Sequence, residues 1–317
     1  RKYAGVKIMH HKKNLIIIGN GFDLAHGLET KWSDFKDYLS QFNEELLYYL
    51  EQCAENDLWS DFEKGLGKLN REEIYANALN HFDCIKNDED DGRNHQMADH
   101  IRNIEDLIID ETKRALNNWI LSIDVYATPF ENIKRILNGA CVITFNYTQT
   151  LEMTYGLNSN NVIHLHEKAE NAPPQTKDNY FAPDPVPDIV IGHGEDVAPV
   201  DVGSFANGMS DEIVLDEVET EGHRDILIEL KKNTSRYMHR IDYILNSMDS
   251  FDNIYIIGHS LSPIDAPYFN AIASCTNVKT HIYITYCPEL ESEQEKESQV
   301  RQFFPSNSIT VKEIKLL

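Results

Sequence analysis

The chain has 317 residues, 41% of them hydrophobic and 26% charged, the range of an ordinary globular protein with material for one large core or two domains. Its formal net charge of −23 gains nothing from the counterion release that drives general DNA or RNA binding, so nucleic acid and anionic membrane surfaces are disfavoured partners. The five cysteines, Cys53, Cys84, Cys141, Cys275 and Cys287, are scattered, odd in number and never at metal-ligand spacing, which fits a reducing cytoplasm rather than a disulfide framework or a zinc ribbon.

No run approaches the length of a membrane span, and no signal peptide is read. The residues before Met9 are read as a cloning remnant or the mark of a late start codon and are set aside. The first strong element is "NLIIIGN" (14–20), a short apolar run ending in glycine and asparagine. The same kind of run recurs as "ACVITFN" (140–146), "NVIHLH" (161–166), "DIVIGHG" (188–194), "NIYIIGHS" (253–260), "HIYITY" (281–286) and "SITVKEI" (308–314). Most are continuously apolar rather than alternating, the pattern of parallel strands covered on both faces.

Between the first two runs lies a long helical block, 30–138. Within it Ile101, Ile104, Leu107, Ile108, Thr112 and Leu116 fall at three- and four-residue steps and predict one buried helix face. The stretch "NDEDDGRN" (87–94) reads as a solvated loop. The region 167–222 is irregular, and loops of that length are usually lids, binding loops or disorder. A helix is expected over 222–248, with Leu230, Met238, Ile241, Ile244, Leu245 and Met248 inward.

The candidate site residues follow these strands. After the first come Gly19, Asn20, Gly21, Phe22 and Asp23, a strand–turn–helix whose glycines let backbone amides approach an anion. The turn lacks the third glycine of a dinucleotide fingerprint, and taken alone it reads more readily as a tight turn with Asp23 as a local cap. The second strand ends in Thr144, Phe145 and Asn146, placing Asn146 at the carboxyl edge, where open α/β sheets bind ligands. Its carboxamide can donate and accept, as a ribose hydroxyl or a water requires.

His164 and His166 share one strand face, so one could be a general base or the two could begin a metal site with His193, His259 or a carboxylate. His164 is taken as the structural member of the pair. The run "GHSLS" resembles a nucleophile elbow, but the acid and base that a serine hydrolase needs on later loops are not in order: Asp265 follows closely and His281 lies inside a strand. Gly258, Ser260 and Asp265 are read instead as a ligand-contacting loop, or as a helix start built with Pro263.

Taken together, "LIIIGNGFDLAHGLETKWSDF", "LWSDFEKGL", "ITFNYTQTLEMTYG", "VIHLH" and "IIGHSLSPIDAPYF" resemble the AbiH family of bacteriophage abortive-infection proteins, collinearly from about Asn14 to Phe269. The order of motifs is more distantly similar to sirtuin-like NAD-binding domains. That resemblance implies an α/β fold with a Rossmann-like, mostly parallel sheet and a large helical insertion after the first strand. The whole of 9–317 would be one sirtuin-like domain, with 30–138 as the insertion and 167–222 as a lid. It also implies that Gly19, Asn20 and Gly21 face dinucleotide phosphates, that Asn146 and His166 are catalytic, and that Ser260 contacts the cofactor. Phe22, Asp23, Thr144, Gly258 and Asp265 complete the expected binding set.

This sequence departs from the sirtuin pattern at Thr148, where an Asp is usual, at Glu167, where a Gly is usual, and in its Gly-Asn-Gly turn. It also lacks the four-cysteine zinc module of protein deacylases. The implied activity is hydrolysis of NAD to nicotinamide and ADP-ribose, with NAD as substrate, no further cofactor and no metal. The expected setting is an oligomer or a trigger-regulated assembly in the cytoplasm. The alternatives are a nucleotide-binding sensor, or an enzyme acting on another nucleotide or on nucleic acid.

Overall fold

The structure is a computed structural model that describes residues 13–54, 58–71, 73–74, 92–171, 185–198 and 224–317. The expectations for residues before Met9, for most of the 87–94 loop and for much of the 167–222 region lie outside the described residues. Six strands form one sheet: β1 (Asn14–Ile18), β2 (Cys141–Thr144), β3 (Val162–His164), β4 (Asn253–Ile257), β5 (His281–Tyr286) and β6 (Ile309–Glu313). Their order is β3-β2-β1-β4-β5-β6, and every pairing is parallel. The apolar runs predicted parallel strands, and this order is that of a doubly wound, Rossmann-like sheet.

The central strand shows why those runs form a sheet of this kind. Leu15, Ile16, Ile17 and Ile18 are all fully buried, as a strand covered on both faces must be. β1 is held in register on both sides, with Ile18 opposite Thr144 of β2 and Ile257 of β4. The carboxyl ends of β1, β2 and β4 therefore lie side by side. The strand order reverses between β1 and β4, the place where open parallel sheets leave a crevice.

The chain divides into two compact units. The sheet lies in the first, formed by Arg1–Leu28, Val125–Leu165 and Thr234–Leu317. In its core Ile16, Ile18, Phe22, Val142, Leu151, Val162 and Ile257 pack with Ile133 and Leu137 of a helix, Glu131–Leu137, that follows Pro129. The second unit is formed by Glu29–Asp124 and His166–Asn233. Helices Trp32–Phe42, Glu44–Gln52, Phe62–Leu66, Gly92–Asp106 and Thr112–Ser122 belong to it.

The second unit is built on aromatic packing: Trp32 and Phe35 are in ring contact with each other and each with Phe62 and Trp119, and Trp59 stacks on Phe62 at 5.3 Å. The predicted helix face over 101–116 is observed for Ile101, Ile104, Ile108, Thr112 and Leu116. A single π-helical turn, Leu107–Glu111, shifts its register, so that Ile109 is buried and Leu107 only half-buried. The 87–94 loop reading is corrected at its end, because residues 92–94 already open the first of the two helices.

Two other expectations are corrected here. The run 188–194 is not a sheet strand: Ile189, Val190 and Ile191 are buried in the second unit, and His193 makes a single bridge to Lys231. Burial, not pairing, explains its apolar composition. The helix expected over 222–248 is broken into short pieces, among them Ile226–Glu229, Thr234–Tyr237 and Asp242–Leu245. The break falls where Leu230 and Lys232 exchange backbone hydrogen bonds with His193 (3.0 and 2.9 Å) and are thereby taken from the helix.

At that break the Lys232 side chain is fully buried and donates to Glu63 at 3.1 Å. Glu63→Gln takes this carboxylate away from a buried ammonium and is expected to lower the urea midpoint, at a cost of about 1–3 kcal/mol, because a charge-assisted hydrogen bond to a buried group is lost.

Candidate functional site

The carboxyl edge of the sheet is built from the turn after β1 upward. Gly19 N–H donates to the Ile257 carbonyl at 3.0 Å, and Gly21 N–H donates to the Gly258 carbonyl at 2.7 Å. A Cβ on Gly19 would come within 2.7 Å of the His259 Cα, and one on Gly21 within 2.8 Å of the Gly258 oxygen. Gly258 itself has φ 65° and donates its N–H to Thr285 Oγ1 at 2.8 Å.

The three glycines thus lock the end of β1 to the end of β4. This revises the expectation that Gly19 and Gly21 turn their amides toward phosphates, since both N–H groups are engaged within the protein. Phe22 is likewise not a surface contact: its ring is fully buried in the core, against His26 and Tyr155. His26 donates through Nδ1 to the Phe22 carbonyl (2.7 Å), and its Nε2 lies 2.7 Å from the Tyr155 hydroxyl. Burial lowers the His26 pKa, so the ring is neutral and Nε2 accepts from the tyrosine. Asn20, also expected to face phosphates, is exposed on the turn.

Asp23 stands in the short helix Gly21–Ala25 and is fully buried. The chain after β2 closes over it. Thr148 Oγ1 donates to Asp23 Oδ2 at 2.6 Å, and Thr150 Oγ1 donates to Thr148 Oγ1 at 3.1 Å. Asn146 is also buried, and its N–H donates to Thr144 Oγ1 at 3.1 Å. Asp23 Oδ1 and Asn146 Oδ1 are both buried, and neither accepts a hydrogen bond among the described residues.

Burial pushes the Asp23 carboxyl up to about 6, against lowering contributions from Thr148, Thr150, Asn146 and the charge of His164, in that order. Removing a carboxylate from water penalises its ionised form, and the threonine hydrogen bond recovers only part of that penalty. The result is a carboxyl group able to change charge near neutral pH.

The other expected residues fall in different places. His164, on β3, directs Nε2 to Glu152 at 2.9 Å and Nδ1 to the Asn146 carbonyl at 3.3 Å, as a structural histidine would. Ser260 is exposed on the loop after β4. Asp265 is buried and turned toward His259, whose Nε2 lies 3.6 Å from its Oδ2 while Nδ1 accepts from the Leu261 N–H at 2.9 Å. The His259 ring packs on Phe145 and Phe269.

His166 opens the second stretch of the other unit. It is buried there, its carbonyl accepts from Val190 N–H at 2.9 Å, and Glu167 beside it takes φ 62°. The sheet edge thus brings Asp23, Thr144 and Asn146 together in one cluster and Gly19, Gly21 and Gly258 in another. The sequence showed Thr148 only as a departure from the sirtuin pattern and gave no role to Thr150. The alternating polar positions 144, 146, 148 and 150 were the available signal.

Among the described residues no three His, Cys, Asp or Glu side chains stand where they could hold a metal ion. No described helix is long and apolar enough to cross a membrane. Comparison with protein families finds a match to the model described as bacteriophage abortive infection AbiH over residues 15–286. The chain belongs to the AbiH family. No curated protein and no solved structure matches it. The family assignment gives the protein an abortive-infection, anti-phage role, and the match runs from the second residue of β1 to the end of β5.

Proposed function

We propose that this AbiH-family protein acts as an abortive-infection effector by hydrolysing NAD to nicotinamide and ADP-ribose, on a sirtuin-like variant of the doubly wound sheet. The observation that carries the reading is Asn146: a carboxamide at the carboxyl edge of a parallel sheet, its buried oxygen without a donor, beside the buried carboxyl of Asp23. Such a group suits a ribose hydroxyl or a water, both of which donate.

In the proposed reaction water adds to the ribose anomeric carbon as the bond to the nicotinamide nitrogen breaks. The bonding pair stays on that nitrogen, neutralising the pyridinium, and the water proton is released. Asn146 positions the ribose and the water, and His166 accepts the proton, a role worth on the order of a hundred- to ten-thousand-fold in rate. An effector of this kind requires restraint before infection, which an oligomer or a phage-derived trigger in the cytoplasm would supply.

A second reading, another nucleotide as ligand or a sensor without turnover, is favoured by one observation. The Gly19 and Gly21 amides are engaged with β4, so a pyrophosphate must find its donors elsewhere.

The test follows NAD and nicotinamide over time with purified protein beside Asn146→Ala and His166→Ala. The expected result is nicotinamide release by the parent and a loss of at least about a hundredfold in each variant. Should NAD also stay level in infected cells while defence operates, the reading fails.

A further inference from the structure

Asn146 is held by its main chain from both sides, and the two side chains that hold it are register partners. Thr144 and His164 are the last residues of β2 and β3 and stand opposite one another. Thr144 Oγ1 accepts the Asn146 N–H at 3.1 Å, and His164 Nδ1 lies 3.3 Å from the Asn146 carbonyl oxygen. The carboxamide takes no part in this clamp. Its oxygen is buried and accepts from no group among the described residues. A residue whose backbone is fixed while its side-chain acceptor stays unmatched is prepared for a donor from outside.

The clamp depends on a hydrogen on His164 Nδ1, because a peptide oxygen only accepts. On the other side of the ring Nε2 faces Glu152 Oε1 at 2.9 Å, and the two side chains are only 7% and 6% exposed. A neutral ring beside a carboxylate would put its one hydrogen on Nε2 and turn a bare Nδ1 toward the Asn146 oxygen. The two contacts together need two hydrogens on the pair, one on Nδ1 and one between Nε2 and Oε1. Glu152 comes from the helix Thr150–Tyr155, which follows Asn146 in the chain. Two further charged groups act on His164. Arg240 Nη1 donates to the His164 and Leu165 carbonyls at 3.1 and 3.2 Å, and the charge of the ring is felt by the Asp23 carboxyl.

We infer that His164, kept in its hydrogen-donating form by Glu152, is a positioning residue that fixes Asn146 for a ligand at the carboxyl edge. That a ligand meets Asn146 rests on the function proposed above, whereas the clamp itself does not.

The experiment begins with the parent protein, ¹⁵N-labelled, at pH 7. His164 Nδ1 is expected to bear a hydrogen, and a bare Nδ1 overturns the inference without any variant. The double variant His164→Phe/Glu152→Met then replaces the buried pair by apolar groups of similar size, a change that folds commonly tolerate. Amide hydrogen exchange at Asn146 is expected to rise about tenfold or more in it, while Ile143 in β2 and Leu165, whose N–H donates to the Thr144 carbonyl, stay as they were. An unchanged Asn146 overturns the inference. So does an equal rise across β2 and β3, because the pair then only supports the sheet.

Nicotinamide release is measured on the same proteins. The kcat of the double variant is expected to fall about ten- to a hundredfold with KM little changed, the mark of a misplaced group rather than a lost binding contact. A parent that turns NAD over beside a double variant that keeps its kcat overturns the inference and leaves the NAD reading standing. A parent without turnover, together with the selective rise at Asn146, removes NAD and leaves His164 as the positioning residue.

Discussion

Replacing Gly258 by alanine is expected to unfold much of the protein at moderate denaturant, with a loss of about 3 kcal/mol or more. Two costs combine. The residue has φ 65°, a conformation in which a side chain meets its own backbone. The added Cβ would also lie 2.1 Å from the Phe22 nitrogen and 2.5 Å from the Gly21 carbonyl carbon. Those are backbone atoms at the head of Gly21–Ala25, held by the Gly21-to-Gly258 hydrogen bond, so they cannot move aside without opening the contact between β1 and β4.

Gly139 separates the two costs. It has φ 72°, but a Cβ there meets nothing within 4 Å, so Gly139→Ala carries the dihedral cost alone, about 1 kcal/mol. Urea midpoints of the two variants measured side by side check this. Equal losses would mean that the interlock of the three glycines contributes nothing.

That interlock also shows how far the sequence could be read. The apolar runs of β1, β2, β4 and β5 announced a parallel sheet because a strand buried on both faces has no polar positions to alternate, and Leu15–Ile18 leave no other solution. Residues 188–194 have the same composition and are not a strand. Burial in the second unit demands apolar side chains as a sheet does, and composition cannot separate the two. The helix expected over 222–248 failed for a related reason. Helical spacing was correct for Leu230, Ile241, Ile244 and Met248, all buried, but the Lys232 N–H donates to the His193 carbonyl and the Leu230 carbonyl accepts from the His193 N–H, a pairing set by distant chain.

At the site, the strand ends were legible and the roles of the glycines were not. A glycine that lets a phosphate approach and a glycine that lets a neighbouring carbonyl approach leave the same letter in the sequence. The hydroxyl chain from Thr150 through Thr148 to Asp23 spans residues far apart in sequence and could be seen only once β1 and β2 were side by side.

Asp23→Asn is expected to make the protein more stable at neutral pH. Its folded carboxyl titrates at about 6 against an ordinary 3.8, so folding holds its proton more tightly than the unfolded chain does. The stabilisation from that protonated carboxyl is fully present below pH 3.8 and is lost as the pH rises through 6. A shift of this size corresponds to about 3 kcal/mol, which the ionised group withholds from folding above pH 7.

Asparagine cannot ionise and can still accept from Thr148. The variant should therefore gain about 1–3 kcal/mol at pH 7.5 and almost nothing at pH 4. Thermal or urea unfolding of both proteins at the two pH values gives the difference directly, and the many surface acids cancel because both proteins carry them. An equal effect at both pH values would mean that packing, not charge, sets the cost of Asp23. A gain confined to neutral pH would mean that the protein keeps an ionisable group at the sheet edge at the expense of its own stability.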